Sequence, residues 1–317
     1  MHFRRHASHE RVAPSPPTKG FPMPTRYDIV HTTVYRYRTP VTFGEHRVMF
    51  RPRDSHDQRV LATDLQVSPA SAIRLIQDPH SNSIALVQPL APAAELRLVC
   101  SFAIEHASDE PPPFVLSPAG EYLPFSYSLD ERVDLEHYLR PHHEDPHGTL
   151  ATWARQFMQG GAPSRTREVL ERMNRHIGAT LRYAARDEEG TQSPLVTLAS
   201  GTGSCRDYAL LMMEAARRLG IATRFVTGYL YDASLDAGGE AMTGAGTTHA
   251  WLQAYLPGAG WMTFDPTNNL LGGSQLIRVA VARDPAHAAP VAGIWYGERD
   301  AYLGLTATVQ VRRRRPR

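Results

Sequence analysis

Cys205 closes a glycine-rich turn, Gly201-Thr202-Gly203-Ser204, and opens an apolar helical pattern that runs Arg206-Asp207-Tyr208-Ala209-Leu210. A cysteine at a helix start is a favourable place for a nucleophile. The unpaired N–H groups there stabilise negative charge and lower the thiol pKa. Ser204 is a good N-cap type, which puts Cys205 at the first helical position. Gly201 and Gly203 let the backbone turn tightly and bring N–H groups towards a reacting carbonyl.

His249 lies 44 residues after Cys205, and Asp265 a further 16, so only the fold can assemble the three. His249 opens a strand after a glycine-rich loop, and Asp265 ends the neighbouring strand just before Pro266. Two adjacent antiparallel strands can bring those positions side by side. His249 would then take the thiol proton and return it to a leaving amine, with Asp265 fixing its tautomer. On pattern alone, plainer readings stay open: a buried structural cysteine, an ordinary strand-end histidine and a turn-initiating Asp-Pro.

Ser204, Arg206, Tyr183 and Trp251 are further candidates for substrate or oxyanion contacts, with packing or solvation as the plain alternative. Asp207 in the first helical turn complements the helix dipole. A zinc site from Cys205, His249 and Asp265 would lack a second cysteine and paired-ligand spacing, so no metal and no cofactor is expected.

The elements that must hold these residues are readable as periodicity. The helix that starts at Cys205 buries Tyr208, Met212, Ala215 and Leu219 and stops at Gly220. Before it come two apolar stripes, Leu150-Trp153-Ala154-Phe157 and Val169-Leu170-Met173-Ile177. After it the period becomes two, with strands expected at 225–231, 250–256 and 261–264. Residues 233–248 read as a long loop rich in Gly, Ala and Ser.

Residues 25–110 read as short strands and suggest an N-terminal β-sandwich domain. Tyr27, Ile29, Thr33, Tyr35 and Tyr37 share one face, and Leu96, Leu98, Cys100, Phe102 and Ile104 another, which makes Cys100 a buried hydrophobe. A Pro-rich break opens a linker at 111–148, whose His-rich stretch at 141–147 fits no metal spacing. The catalytic core spans 149–270, and strands within 271–312 pack back on the core or the N-terminal domain. Residues 1–24 read as a disordered leader, with Met23 an alternative start, and 313–317 as a solvated basic tail.

The chain has 317 residues, enough for two domains, with 42% hydrophobic and 21% charged residues. A net charge of +2 gives no bias towards nucleic acid, and no apolar run is long enough to span a membrane. The basic N-terminus is followed by no apolar stretch, so no signal peptide is expected. Two cysteines are too few for a disulfide scaffold, which points to thiols in a reducing, cytoplasmic compartment.

The segments Gly203-Ser204-Cys205-Arg206-Asp207-Tyr208-Ala209, His249-Ala250-Trp251 and Gly260-Trp261-Met262-Thr263-Phe264-Asp265-Pro266 resemble, in order, the nucleophile, histidine and aspartate motifs of the transglutaminase-like superfamily. Tyr27 to Arg53, with Asp78-Pro79-His80-Ser81-Asn82, is similar to the β-rich N-terminal domain of its bacterial members. The resemblance implies an α+β, papain-like core behind that domain and carries the family's Cys, His and Asp onto Cys205, His249 and Asp265. It implies acyl transfer on a peptide or protein substrate through a thioester, as a cysteine peptidase or amidase. The alternatives are a transglutaminase that passes the acyl group to an amine, and a binding module with a vestigial site. Many relatives have Gln where this chain has Arg206. No acidic loop has calcium-ligand spacing, so calcium activation is not implied.

Overall fold

The computed structural model describes residues 24–107, 114–160, 163–186, 188–236, 242–273 and 275–314. All but Pro24 of the leader expected at residues 1–24, the Pro-rich break at 110–113 and the final residues of the basic tail, 315–317, lie outside the described residues.

Thr25–Val48 forms β1, a strand of 24 residues rich in the Val, Ile, Thr and Tyr that suit an extended backbone. It is followed by β2 (Gln58–Ser68), β3 (Ser71–Gln77), β4 (Ser83–Pro89) and β5 (Ala93–His106). The first half of β1 pairs with β5 and its second half with β4, in the order β2-β5-β1-β4-β3. One strand thus serves both halves. The region is a curled sheet, where the two separate layers of a sandwich were expected. The pairing with β5 slips between Arg36 and Val41, where the sheet bends. Tyr27, Ile29, Leu98, Cys100, Phe102 and Ile104 share the buried inner face. Burial pushes the Cys100 thiol up to about 12.

Residues 114–148 were expected as a linker, but they lie packed along the core. They hold β6 (Tyr122–Leu123), α1 (Leu129–Asp134) and α2 (Glu136–Leu139). Leu123 and Leu135 are buried. The Tyr127 hydroxyl donates to the Tyr255 carbonyl at 2.8 Å and accepts the Ala222 N–H at 2.9 Å. The buried Glu214 carboxylate accepts the backbone N–H groups of His142 and His143 and the guanidinium groups of Arg217 and Arg218. Buried side chains thus supply partners that exposed backbone would take from water.

The core continues with α3 (Thr149–Arg155), β7 (Ser164–Arg165), α4 (Thr166–Thr180), β8 (Arg182–Tyr183), α5 (Pro194–Ser200), β9 (Thr202–Gly203) and α6 (Cys205–Arg218). The short strands pair as β6 with β7 and, in parallel, β8 with β9. Tyr208, Leu211, Met212 and Ala215 of α6 share a cluster with Leu150, Ala154, Val169, Leu170, Met173 and Ile177 of the preceding helices. Burying each large apolar side chain contributes about 1.5–3 kcal/mol, so α6 is firmly held.

A five-stranded sheet follows, from β10 (Thr223–Leu230), α7 (Ala233–Asp236), β11 (Thr248–Leu256), β12 (Gly260–Asp265), β13 (Leu270–Leu271) and β14 (Leu276–Ala282). Its order is β13-β12-β11-β10-β14. Alternation puts Ala250, Leu252, Ala254 and Phe264 in the same cluster as α6. The fold is therefore mixed, with more strand than helix.

The last strands, β15 (Val291–Tyr296) and β16 (Tyr302–Arg314), return to the N-terminal sheet, where each pairs with β1. Tyr229, Tyr231, Ile277 and Val279 of the core cluster with Ile29, Cys100 and Val309 of the N-terminal sheet. His31 Nδ1 and the Tyr229 hydroxyl are hydrogen-bonded at 2.8 Å across this junction. Among the described residues no helix is long and apolar enough to cross a membrane.

Candidate active site

Cys205 is the first residue of α6, behind the N-cap Ser204. Gly201, at φ +63°, ends α5 just before this turn, in a conformation that favours glycine. The Asp207 carboxylate accepts the Ser204 N–H and hydroxyl, both at 2.8 Å. It also accepts from Arg186 at 2.9 Å and from the Gln192 N–H at 2.8 Å. Asp207 is wholly buried, and through these bonds it ties the 186–192 loop to the head of α6. Sequence periodicity gave it only a dipole role.

His249 lies in β11 and Asp265 ends β12, on neighbouring strands. The His249 Nε2–H donates to Asp265 Oδ2 at 2.8 Å, with both side chains fully buried. Asp265 also accepts the Thr267 N–H at 2.9 Å and the Asn268 side-chain amide at 3.0 Å. These bonds fix the carboxylate, which in turn fixes the ring and leaves Nδ1 as the nitrogen available to another group. Nδ1 is buried and has no partner at full hydrogen-bond geometry. The Cys205 sulfur is nonetheless near enough to couple to the ring electrically. Such a contact is commonly loose before substrate binds.

Burial alone would raise the Cys205 thiol, but the neighbouring His249 ring and the Ala250 N–H outweigh it and lower the thiol pKa. Burial would lower His249, but the Asp265 carboxylate and the Cys205 sulfur reverse that and raise it. Asp265 is held below its usual range because His249 and its hydrogen bonds overcome the burial penalty. The two shifts favour a thiolate–imidazolium pair, the reactive form of a thiol nucleophile.

The structure brings Cys205, His249 and Asp265 together. Tyr183 is beside them: it pairs with Gly203, and its ring is 6.2 Å from that of Tyr208. Burial and then the Cys205 charge push the Tyr183 hydroxyl up to about 12. At 37% exposure it is the surface-facing side chain of the group. Arg206 donates to the carbonyls of Arg186 and Glu188, which clips the same loop that Asp207 holds. Trp251 is buried in a cluster with Val226, Leu230, Leu276 and Val281, its ring 5.9 Å from that of His249. It backs the imidazole as core packing. Among the described residues no group of three or more His, Cys, Asp or Glu could hold a metal ion.

Gly244 was not a sequence candidate. An added Cβ there would stand 2.6 Å from His249 Nδ1. Its segment is fastened by Asn268, which donates to the Thr243 carbonyl at 3.1 Å, and by the Val309 N–H, which donates to the Gly246 carbonyl at 2.9 Å. Cys205 is 7% exposed and His249 1%, so the site lies under cover.

Comparison with known proteins gives the family and the fold. Residues 151–266 match the model of the transglutaminase-like superfamily, and residues 27–105 that of the bacterial transglutaminase-like N-terminal region. An uncharacterised protein of Mycobacterium leprae is 29% identical over 285 residues, covering 90% of this chain and 98% of that protein. A protein-glutamine gamma-glutamyltransferase of Pseudomonas aeruginosa is 30% identical over 142 residues, covering 44% of this chain but only 21% of that protein. A solved structure of a proposed cysteine protease from Cytophaga hutchinsonii has the same fold, with a TM-score of 0.68 at 18% identity, covering 93% of this chain and 92% of that one. With both matched regions together spanning more than half its length, in the order the structure gives them, the chain belongs to the transglutaminase-like superfamily.

Proposed function

We propose that the protein is a thiol-dependent acyl-transfer enzyme that cleaves amide bonds in a peptide or protein. The observation that carries this reading is the buried 2.8 Å bond between His249 and Asp265, which leaves Nδ1 for the Cys205 sulfur. Cys205 Sγ would attack the amide carbonyl and form a tetrahedral intermediate. The imidazolium of His249 would then protonate the departing amine, leaving a thioester on Cys205. His249, now neutral, would activate the acceptor that releases the acyl group. Backbone N–H groups at the head of α6 would hold the oxyanion. The depth of the site favours water as that acceptor, hence a cysteine peptidase or amidase.

A second reading has its own support. The Pseudomonas aeruginosa relative is named for glutamyl transfer, which favours an amine as acceptor.

The reading is tested with iodoacetamide across about pH 5 to 9, with labelling mapped at Cys205 and Cys100. Cys205 should react quickly near pH 6, Cys100 should not, and His249→Ala should slow Cys205. Labelling of Cys205 only at high pH, unchanged by His249→Ala, would remove the enzymatic reading. Cys205→Ala should abolish turnover with a stability change within about 1 kcal/mol. Product analysis with and without a fluorescent primary amine then separates hydrolysis from transfer.

A further inference from the structure

β16 pairs with β1 along one side, and among the described residues no strand pairs with its other side. The Val309 N–H points to that open side, where it donates to the Gly246 carbonyl. Val309 stands opposite His31 in the ladder, and antiparallel ladders alternate. Ala307 and Leu305 therefore also turn their N–H and C=O groups outward.

The open edge meets the candidate site on its His249 side. At one end, Gly246 lies two residues from Gly244, which rests on His249. On the Cys205 side, Asp207 ties the 186–192 loop to the Cys205 helix. Burial first, and the charge of the Glu189 carboxylate in that loop with it, push the Tyr302 and Tyr35 hydroxyls above their usual range.

The composition of the edge is also telling. Leu305-Thr306-Ala307-Thr308 contains no charge and no proline, the usual protections of an exposed strand, whereas the strand closes on Arg312, Arg313 and Arg314. Leu305 stands opposite Tyr35 and Tyr302 opposite Tyr37, on the face that buries Val309. Yet Leu305 is 48% exposed and Tyr302 46%.

We infer that this edge of β16 is the docking site for the substrate, which binds as an extended polypeptide segment and adds a strand to the N-terminal sheet. The added strand runs from the His249 loop towards the Cys205 loop, across the mouth of the site. Main-chain bonds to Leu305 and Ala307 hold it, and Leu305 and Tyr302 receive its apolar side chains. The substrate class is thus an unfolded or extended protein segment with alternating apolar residues, rather than a small amide. The inference rests on the reading of Cys205 as a nucleophile.

The test uses the full chain as wild type, Ala307→Pro and Leu305→Lys. Ala307→Pro removes one outward donor without touching the bonds to β1, and Leu305→Lys leaves every donor in place but charges the docking face. Each protein is treated with iodoacetamide, with a chloromethyl ketone on a peptide of alternating valine and threonine, and with the same warhead on one acetylated valine. The wild type should react with the peptide reagent about tenfold or more faster than with the single-residue reagent, as two or so added hydrogen bonds allow. Both variants should lose that advantage while their iodoacetamide rates stay at the wild-type value.

No peptide advantage in the wild type, or an equal one in the variants, overturns the docking site and leaves the nucleophile standing. Iodoacetamide that labels Cys205 no faster than Cys100 near pH 6 overturns the nucleophile instead. A wild-type dimer in sedimentation that Ala307→Pro dissolves assigns the edge to a second copy, which also overturns the proposal.

Discussion

The Gly244 backbone rests on the imidazole of His249, so closely that no side chain fits between them. Its φ of +91° adds a second reason for glycine. Gly244→Ala should displace either the loop or the ring and weaken the coupling of His249 to Cys205. Iodoacetamide labelling near pH 6 should slow by about tenfold, with little change near pH 9, where the thiol ionises without help. An unchanged pH profile would mean that the loop yields and the ring does not.

Asp265 accepts three hydrogen bonds, from His249, Thr267 and Asn268. Asn at this position would turn an amide N–H towards one of those donors and favour the wrong imidazole tautomer. Asp265→Asn should lower turnover by up to about 10⁴-fold, the scale known for loss of a tautomer-fixing carboxylate. It should also cost about 1–3 kcal/mol of stability. Turnover within a few-fold of wild type would show that another group orients His249.

His31 links the two sheets through Tyr229, and burial lowers its pKa from 6.5 to about 4. Between those values the unfolded chain binds a proton that the folded protein refuses. Stability is therefore full above about pH 6.5 and falls as the pH drops towards 4, by at most about 3 kcal/mol. His31→Gln removes the titration but keeps hydrogen-bonding capacity, so its urea midpoint should drop less between pH 7 and 4.5. Equal drops in both proteins would assign the acid sensitivity elsewhere.

Glu214 binds both Arg217 and Arg218 and holds the backbone at His142 and His143. Glu214→Gln would leave buried guanidinium charge uncompensated, at a cost of about 3–5 kcal/mol. Denaturant unfolding measures that loss, and limited proteolysis should cut first within 137–147. A loss under 1 kcal/mol would mean that water replaces the carboxylate.

The sequence made the site legible because each of its members sits where an element begins or ends. Cys205 heads an apolar helical stripe, and His249 and Asp265 bound adjacent strands, so pattern makes them candidates and the resemblance to the family's motifs singles them out. The apolar stripes of α4 and α6 and the alternation around Cys100 were readable for the same reason.

What escaped has no period. The partners of Asp207 lie on the irregular 186–192 loop, and the contact of Gly244 with His249 comes from a segment too poor in apolar residues to show a register. Thr39-Pro40 gives no sign in the sequence that β1 continues unbroken from Thr25 to Val48. Residues 111–148 read as a linker because composition cannot reveal that the buried Glu214 carboxylate accepts the backbone N–H groups of His142 and His143.

The shared strand β1 has a consequence for biosynthesis. It is made long before β15 and β16, which flank it in the finished sheet. Arg314 and Asp28, ion-paired across that ladder, stand 286 positions apart. Pairings of such separation form slowly, and an unpaired edge is prone to capture by other nascent chains. Until β15 and then β16 have been translated, one side of β1 stays open, first along both halves and then along the half that β16 covers, so the span of aggregation risk is set by the time needed to make the residues between β1 and β16.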